Sequence, residues 1–144
     1  MIAIGADHRG YKTKELIKKF LTSEGYEVKD FGTNSSESVD YPDFAKKVAE
    51  SVSSGESEFG ILMCSNGIGV SIAANKVKGI RAANVFSEKM AEMSRRHNKA
   101  NVICFGGETV DIDVIKKSLI IFLKTDFEGG RHKRRVDKIE ILET

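Results

Sequence analysis

Two spacings of apolar residues alternate along the chain. Residues 1–6 run small and apolar and stop at Asp7-His8-Arg9-Gly10, a strand ending in a loop. Leu16, Ile17, Phe20 and Leu21 then recur at helical spacing before Gly25, a stop signal. Residues 27–31 read as a second strand and residues 32–40 as a polar, serine-rich surface loop. Pro42, the only proline, opens a helix to about residue 53, with Phe44, Ala45, Val48, Ala49 and Val52 on its inner face. Residues 59–64 form a third strand, 68–75 a short helix and 80–86 a fourth strand. Ser87 caps a helix reaching about His97, with Glu88 in its first turn. A fifth strand over 102–105 breaks at Gly106-Gly107. A last long helix over 111–124 precedes Glu128-Gly129-Gly130 and a basic tail.

The order is a strand and a helix, five times over. Nearly continuous apolar strands such as VICF predict a parallel sheet buried on both faces. The expected fold is α/β, a three-layer α/β/α Rossmann-like domain with a five-stranded parallel sheet, one domain over residues 1–144. Composition agrees with an ordinary globular protein: 40% hydrophobic and 31% charged residues in 144. No apolar run approaches the ~18 residues of a membrane span. The opening MIAIGADHRG reads as a strand rather than a signal peptide, so a cytoplasmic protein is expected.

A net charge of +2 does not argue for nucleic acid. The charge is uneven, however: Arg131, Lys133, Arg134, Arg135 and Lys138 crowd one stretch, as a solvated helix face or as a cluster for a small anion. Two cysteines and three dispersed histidines, His8, His97 and His132, show no metal-ligand spacing, and no metal site is expected.

Ligands of open parallel sheets bind beyond the carboxyl ends of the strands. That singles out Asp7 and His8 after the first strand, and Cys64, Ser65, Asn66, Gly67 and Gly69 after the third. The stretch MCSNGIGVS lacks the lysine of a phosphate-binding P-loop and follows the wrong strand for a dinucleotide fingerprint. It remains either a turn whose N–H groups receive an anion at a helix N-terminus, or a turn needing glycine only for its dihedral angles. Cys104, inside VICF, reads as apolar filling. Cys64, between a strand end and a helix N-terminus, is placed where a thiolate is favoured, as base or nucleophile or as a buried thiol. A helix that returns along the sheet leaves His97 at the opposite edge, so His97 is either structural or serves a site across a subunit interface.

With these residues assembled, the chain resembles the type B ribose-5-phosphate isomerases of the ribose/galactose phosphate isomerase family. The stretches GADHRGYKTK, DYPDFA, GILMCSNGIGVSIAANKVKGIRAA, SRRHNKANV and EGGRHKRRV carry the resemblance from end to end. It implies a homodimeric or tetrameric enzyme that interconverts aldose and ketose phosphates through a cis-enediolate, with no metal or organic cofactor. Cys64 would be the base, and the turn Ser65, Asn66, Gly67, Ile68 and Gly69 would donate to the enediolate oxygen. His97, from the neighbouring subunit, would open the furanose ring. Asp7, His8, Tyr41 and Asn98 would contact substrate, and Arg131 and Arg135 would bind phosphate. No nucleic acid or membrane partner is implied.

Two departures from the family pattern stand out. Many members read C-G-T-G-I-G where this chain reads CSNGIG, so Asn66 replaces a threonine often given a part in ring opening. An amide is a poor proton shuttle, which places more of that role on His97. Members often carry an arginine after the double-glycine break, where this chain has Glu108; either Glu108 points away, or the phosphate rests on His8, Arg131 and Arg135 alone. The six-carbon allose- and galactose-6-phosphate isomerases are the close rival. A non-catalytic sugar-phosphate-binding module and a cysteine hydrolase are rivals of other classes, the latter lacking an arranged histidine–carboxylate pair.

Overall fold

The structure is a computed structural model that describes residues 1–143. Strands β1 (Ile2–Ala6), β2 (Val28–Asp30), β3 (Phe59–Cys64), β4 (Ala82–Asn84) and β5 (Val102–Gly106) form one sheet in the order β2-β1-β3-β5-β4. Every pairing is parallel, as the apolar runs predict. The helices are α1 (Tyr11–Ser23), α2 (Tyr41–Ser53), α3 (Ile68–Ala74), α4 (Glu88–Arg96), α5 (Ile112–Lys124) and α6 (Arg131–Ile141). None is long and apolar enough to cross a membrane among the described residues.

Strand alternation divides the core in two. Ile2, Ile4, Ile61, Met63, Ile103 and Phe105 face α1, α4 and α5 through Ile17, Leu21, Ala91, Ile115, Leu119 and Phe122. Ala3, Leu62, Cys64, Val102 and Cys104 face α2 and α3 through Ala45, Val48, Ala49, Val70 and Ala74. The same alternation directs Cys64 to the α3 side. Burial pushes the Cys104 thiol pKa far upward, with a smaller contribution from nearby Cys64, as befits an apolar filler.

Local signals set the helix starts. Ser87 Oγ accepts from Met90 N at 3.2 Å, and the Asp111 carboxylate accepts from Asp113 N at 3.3 Å. Pro42 occupies the first turn of α2, after extended Asp40.

The structure corrects two expectations and agrees with the helical reading of the tail. Leu16 is exposed, and the inner face of α1 instead carries Lys14, which is fully buried. Lys14 Nζ donates to Asp30 Oδ2 at 2.5 Å, and Lys18 reaches the same oxygen at 2.8 Å. The second and fourth strands are three residues each, shorter than their apolar runs, because their flanking residues leave the ladder at the sheet edges. The basic tail is a helix, α6, with His132 and Val136 buried and the arginines outward. Its C-terminal end docks on the start of β4, where Arg81 meets Glu140 and the Glu143 carboxylate accepts from Gly79 N at 3.0 Å.

Candidate active site

The strand order makes β1 and β3 neighbours, so the loops that follow them adjoin at the carboxyl edge. Between them opens a cavity of about 740 Å³ that admits Asp7, His8, Arg9, Tyr41, Cys64 and the turn after it. Asp7 Oδ1 accepts from Arg9 N at 3.0 Å and Gly10 N at 3.1 Å, a local turn that fixes the first loop. His8 Nδ1 accepts from Val39 N at 3.2 Å, which assigns the ring proton to Nε2. That leaves one N–H donor on the imidazole.

Cys64 ends β3, 5% exposed, and its sulfur accepts from Gly67 N at 3.3 Å. Gly67 adopts φ +81°, and a Cβ there would lie 2.3 Å from Asn84 Oδ1. Gly69 passes directly under the Tyr41 ring, with space for no Cβ. Asn66 Oδ1 accepts from Ile68 N at 3.0 Å, so the side chain that replaces the family's threonine stabilises the start of α3. Gly69 N, in that first turn, has no hydrogen-bond partner among the described residues and remains open to a ligand. Replacing Gly67 by alanine is expected to cost about 1–2 kcal/mol, from the left-handed backbone and the displaced Asn84, measurable by thermal unfolding.

His97, Asn98, Arg131 and Arg135 are not among the lining of this cavity. His97 follows α4, which runs back from the carboxyl edge, and Asn98 lines a separate cavity beside β4 with Ile139 and Leu142. Sequence separation gave no reason to group the histidines, yet His97 stacks on His132 with ring centroids 4.1 Å apart and planes 8° apart. Glu128 lies 3.9 Å from His97 Nε2 and 3.8 Å from His132 Nε2, and accepts from Arg96 Nη2 at 3.0 Å. His132 Nε2 is buried with no hydrogen-bond partner among the described residues. Loss of water, then His97 and Arg131, push the His132 pKa down, so this ring stays neutral against its partner. The ligand atoms of His97, Glu128 and His132 lie within 4.8 Å of one another. A dication there would compete with Arg96 for Glu128 and face Arg131 and Arg135, so the trio suits a stacked imidazole pair beside a carboxylate better than a metal.

Sequence reasoning passed over Glu128 and His132, although their spacing of four at a helix start was a visible signal. It also passed over Arg9. Glu108 is not among the lining of the cavity but is bound to two residues that are: its carboxylate accepts from Arg9 Nη1, at 3.2 and 3.3 Å, and from Ser65 Oγ at 3.2 Å.

The fold and cavity define a parallel α/β protein with an open cavity at the carboxyl edge of its sheet, beside a thiol. The family model described as Ribose/Galactose Isomerase matches residues 2–139, and the chain belongs to that family of isomerases. It is 45% identical to ribose-5-phosphate isomerase B of Escherichia coli (strain K12), over 99% of this chain and 95% of that one. The ribose-5-phosphate isomerase B structure from Clostridium thermocellum superposes with a TM-score of 0.97 at 54% identity, covering 99% of this chain and 96% of that one. The Mycoplasma genitalium enzyme, solved with bound ribulose-5-phosphate, gives 0.94 at 45% identity, covering 99% and 95%.

Proposed function

We propose that this chain interconverts ribose 5-phosphate and ribulose 5-phosphate through a cis-enediolate, without a metal or organic cofactor, with Cys64 as the base. The observation that carries this reading is the placement of Cys64: a buried thiol that receives a backbone N–H and opens into a cavity at the switch point of the sheet. The likeness to ribose-5-phosphate isomerases over nearly the whole chain supports the substrate.

In the ring-opened aldose the thiolate removes the proton on C2. The C–H electrons form the C1–C2 double bond, and the carbonyl pair moves onto O1. The resulting enediolate is met by donors such as Gly69 N, which act on charge as it develops. The thiol returns the proton to C1 and a proton passes from O2 to O1, giving the ketose. Such a base contributes roughly 10²–10⁴-fold.

The ring-opening acid is His97, and it acts on the site of a second subunit. The return of α4 along the sheet separates His97 from its own Cys64 by about one strand length, ~15 Å, too far for one sugar. Exposed Ile68 and Ile72 beside the cavity, and exposed Leu142 near Asn98, supply apolar surface for a dimer that brings the halves together. In that dimer Asn98 contacts the sugar, and Arg131 and Arg135 reach its phosphate with His8. A phosphorylated sugar, confined to the cell interior, fits a cytoplasmic setting.

The test is incubation with ribose 5-phosphate in D₂O, followed by proton NMR. Ribulose 5-phosphate carrying solvent deuterium is expected; reaction only with allose or galactose 6-phosphate would change the substrate and keep the chemistry. Subunit sharing has its own test. Equal amounts of inactive Cys64→Ala and His97→Asn subunits, unfolded and refolded together, are expected to regain about a quarter of wild-type turnover, because half the dimers then hold one intact site. No recovery would place each site within one subunit.

A further inference from the structure

We infer that Arg9 is a phosphate-binding residue of this enzyme, held in place by Glu108. The inference rests on the sugar-phosphate reading above and adds to it a contact from the subunit that carries Cys64. Arg9 is the one arginine or lysine among the residues lining the Cys64 cavity, where Asp7, Asp40 and Asp43 would otherwise leave the wall acidic. Arg9 is thus the cation that this subunit itself offers a dianion entering the cavity, beside the arginines proposed to arrive from the second subunit.

The geometry suits this role. The first loop is rigid where Arg9 leaves it, because Asp7 Oδ1 binds both Arg9 N and Gly10 N. Glu108 engages only Nη1 of the guanidinium. Nε and Nη2 make no hydrogen bond among the described residues and keep their N–H groups for a ligand. Adjacent His8 has its Nδ1 occupied by Val39 N, so its remaining donor, Nε2–H, is the one free for the same ligand. Two neighbouring residues thus present N–H donors to one cavity, and a planar guanidinium with open donors matches phosphate oxygens.

An exposed arginine–glutamate pair would otherwise be worth little. At 57% and 45% side-chain exposure it belongs to the class of solvent-screened pairs that contribute little to stability. The contact is therefore better explained by where it aims the guanidinium than by stability. Ser65 Oγ, from the turn after Cys64, also donates to Glu108 and ties this clamp to the reacting loop.

The experiment compares wild type, Arg9→Ala and Arg9→Lys in two readouts: the kinetics with ribose 5-phosphate, and the Kd for inorganic phosphate by calorimetry. Loss of a charged hydrogen-bond donor predicts that Arg9→Ala raises both KM and the phosphate Kd by at least about tenfold, acting on KM rather than kcat. Arg9→Lys, which keeps the charge without the fork, is expected to recover part of the loss. Unchanged phosphate Kd in a folded Arg9→Ala protein, with the wild-type melting temperature, would overturn the inference, whatever KM does. The calorimetry needs no turnover. A protein inactive on ribose 5-phosphate whose phosphate affinity still falls on removing Arg9 would sink the proposed reaction and leave the phosphate contact standing.

Discussion

Cys64→Ala is expected to lower kcat for ribose 5-phosphate by about 10²–10⁴-fold or more while leaving sugar-phosphate affinity within a few-fold. The thiol stands at the end of β3 inside the cavity with a backbone donor on it, and alanine offers nothing to carry a proton between C1 and C2. Cavity walls, His8 and Arg9 remain, so binding survives. Cys64→Ser separates chemistry from packing. The hydroxyl can still accept from Gly67 N, yet it is too weak a base to remove a carbon-bound proton, so this variant is expected to be nearly as slow as the alanine. Initial rates and calorimetric titration with ribose 5-phosphate check both. Turnover near wild type in either variant would remove Cys64 as the base.

Asp30→Asn is expected to be the most damaging single change to stability outside the apolar core, at about 3–5 kcal/mol by urea unfolding. Lys14 is fully buried, and Asp30 is its closest carboxylate, with Lys18 on the same oxygen. Asparagine keeps the shape and can still accept from Gly32 N, so the cost isolates the charge left behind on Lys14. The double variant Lys14→Met/Asp30→Asn should recover most of the loss, because a long apolar side chain fills the space without an unpaired charge. Equal destabilisation of single and double variants would show that packing matters here and the ion pair does not.

The same carboxylate predicts an acid dependence. Burial works to raise its pKa, but the hydrogen bonds from Lys14, Lys18 and Gly32 N outweigh it and hold the pKa below its ordinary value of 3.8. With the folded value below the unfolded one, Asp30 contributes its full stability above about pH 4. That contribution is lost as pH falls through the lowered value. Lys18 is raised, by its hydrogen bond to Asp30 against the cost of burial, so its smaller share is present below its ordinary 10.5 and is lost at higher pH.

Much of the fold was legible because its signals are local. Five apolar runs at strand length, the cap Ser87, and Pro42 at a helix start all act within a few residues, and each marks the element found. Local signals failed where a distant partner decided the outcome. Helical spacing could not show that Lys14 would be buried in place of Leu16, because its carboxylate belongs to another strand. Charge alone could not choose between a solvated helix face and an anion cluster for the basic tail; α6 buries His132 and Val136 and docks its end on β4.

The site divides in the same way. The sequence by itself determined that a thiol, an imidazole and a glycine turn stand at strand ends, because strand and helix periods fix where loops fall and only glycine tolerates the backbone at Gly67. Tertiary structure alone decided that β1 and β3 are neighbours, that His97 stacks on His132, and that Arg9 meets Glu108 from 99 positions away. Those contacts depend on strand order and helix docking, which are set by the burial of two whole core layers. No local pattern encodes them, since each joins segments whose own preferences are satisfied without the other.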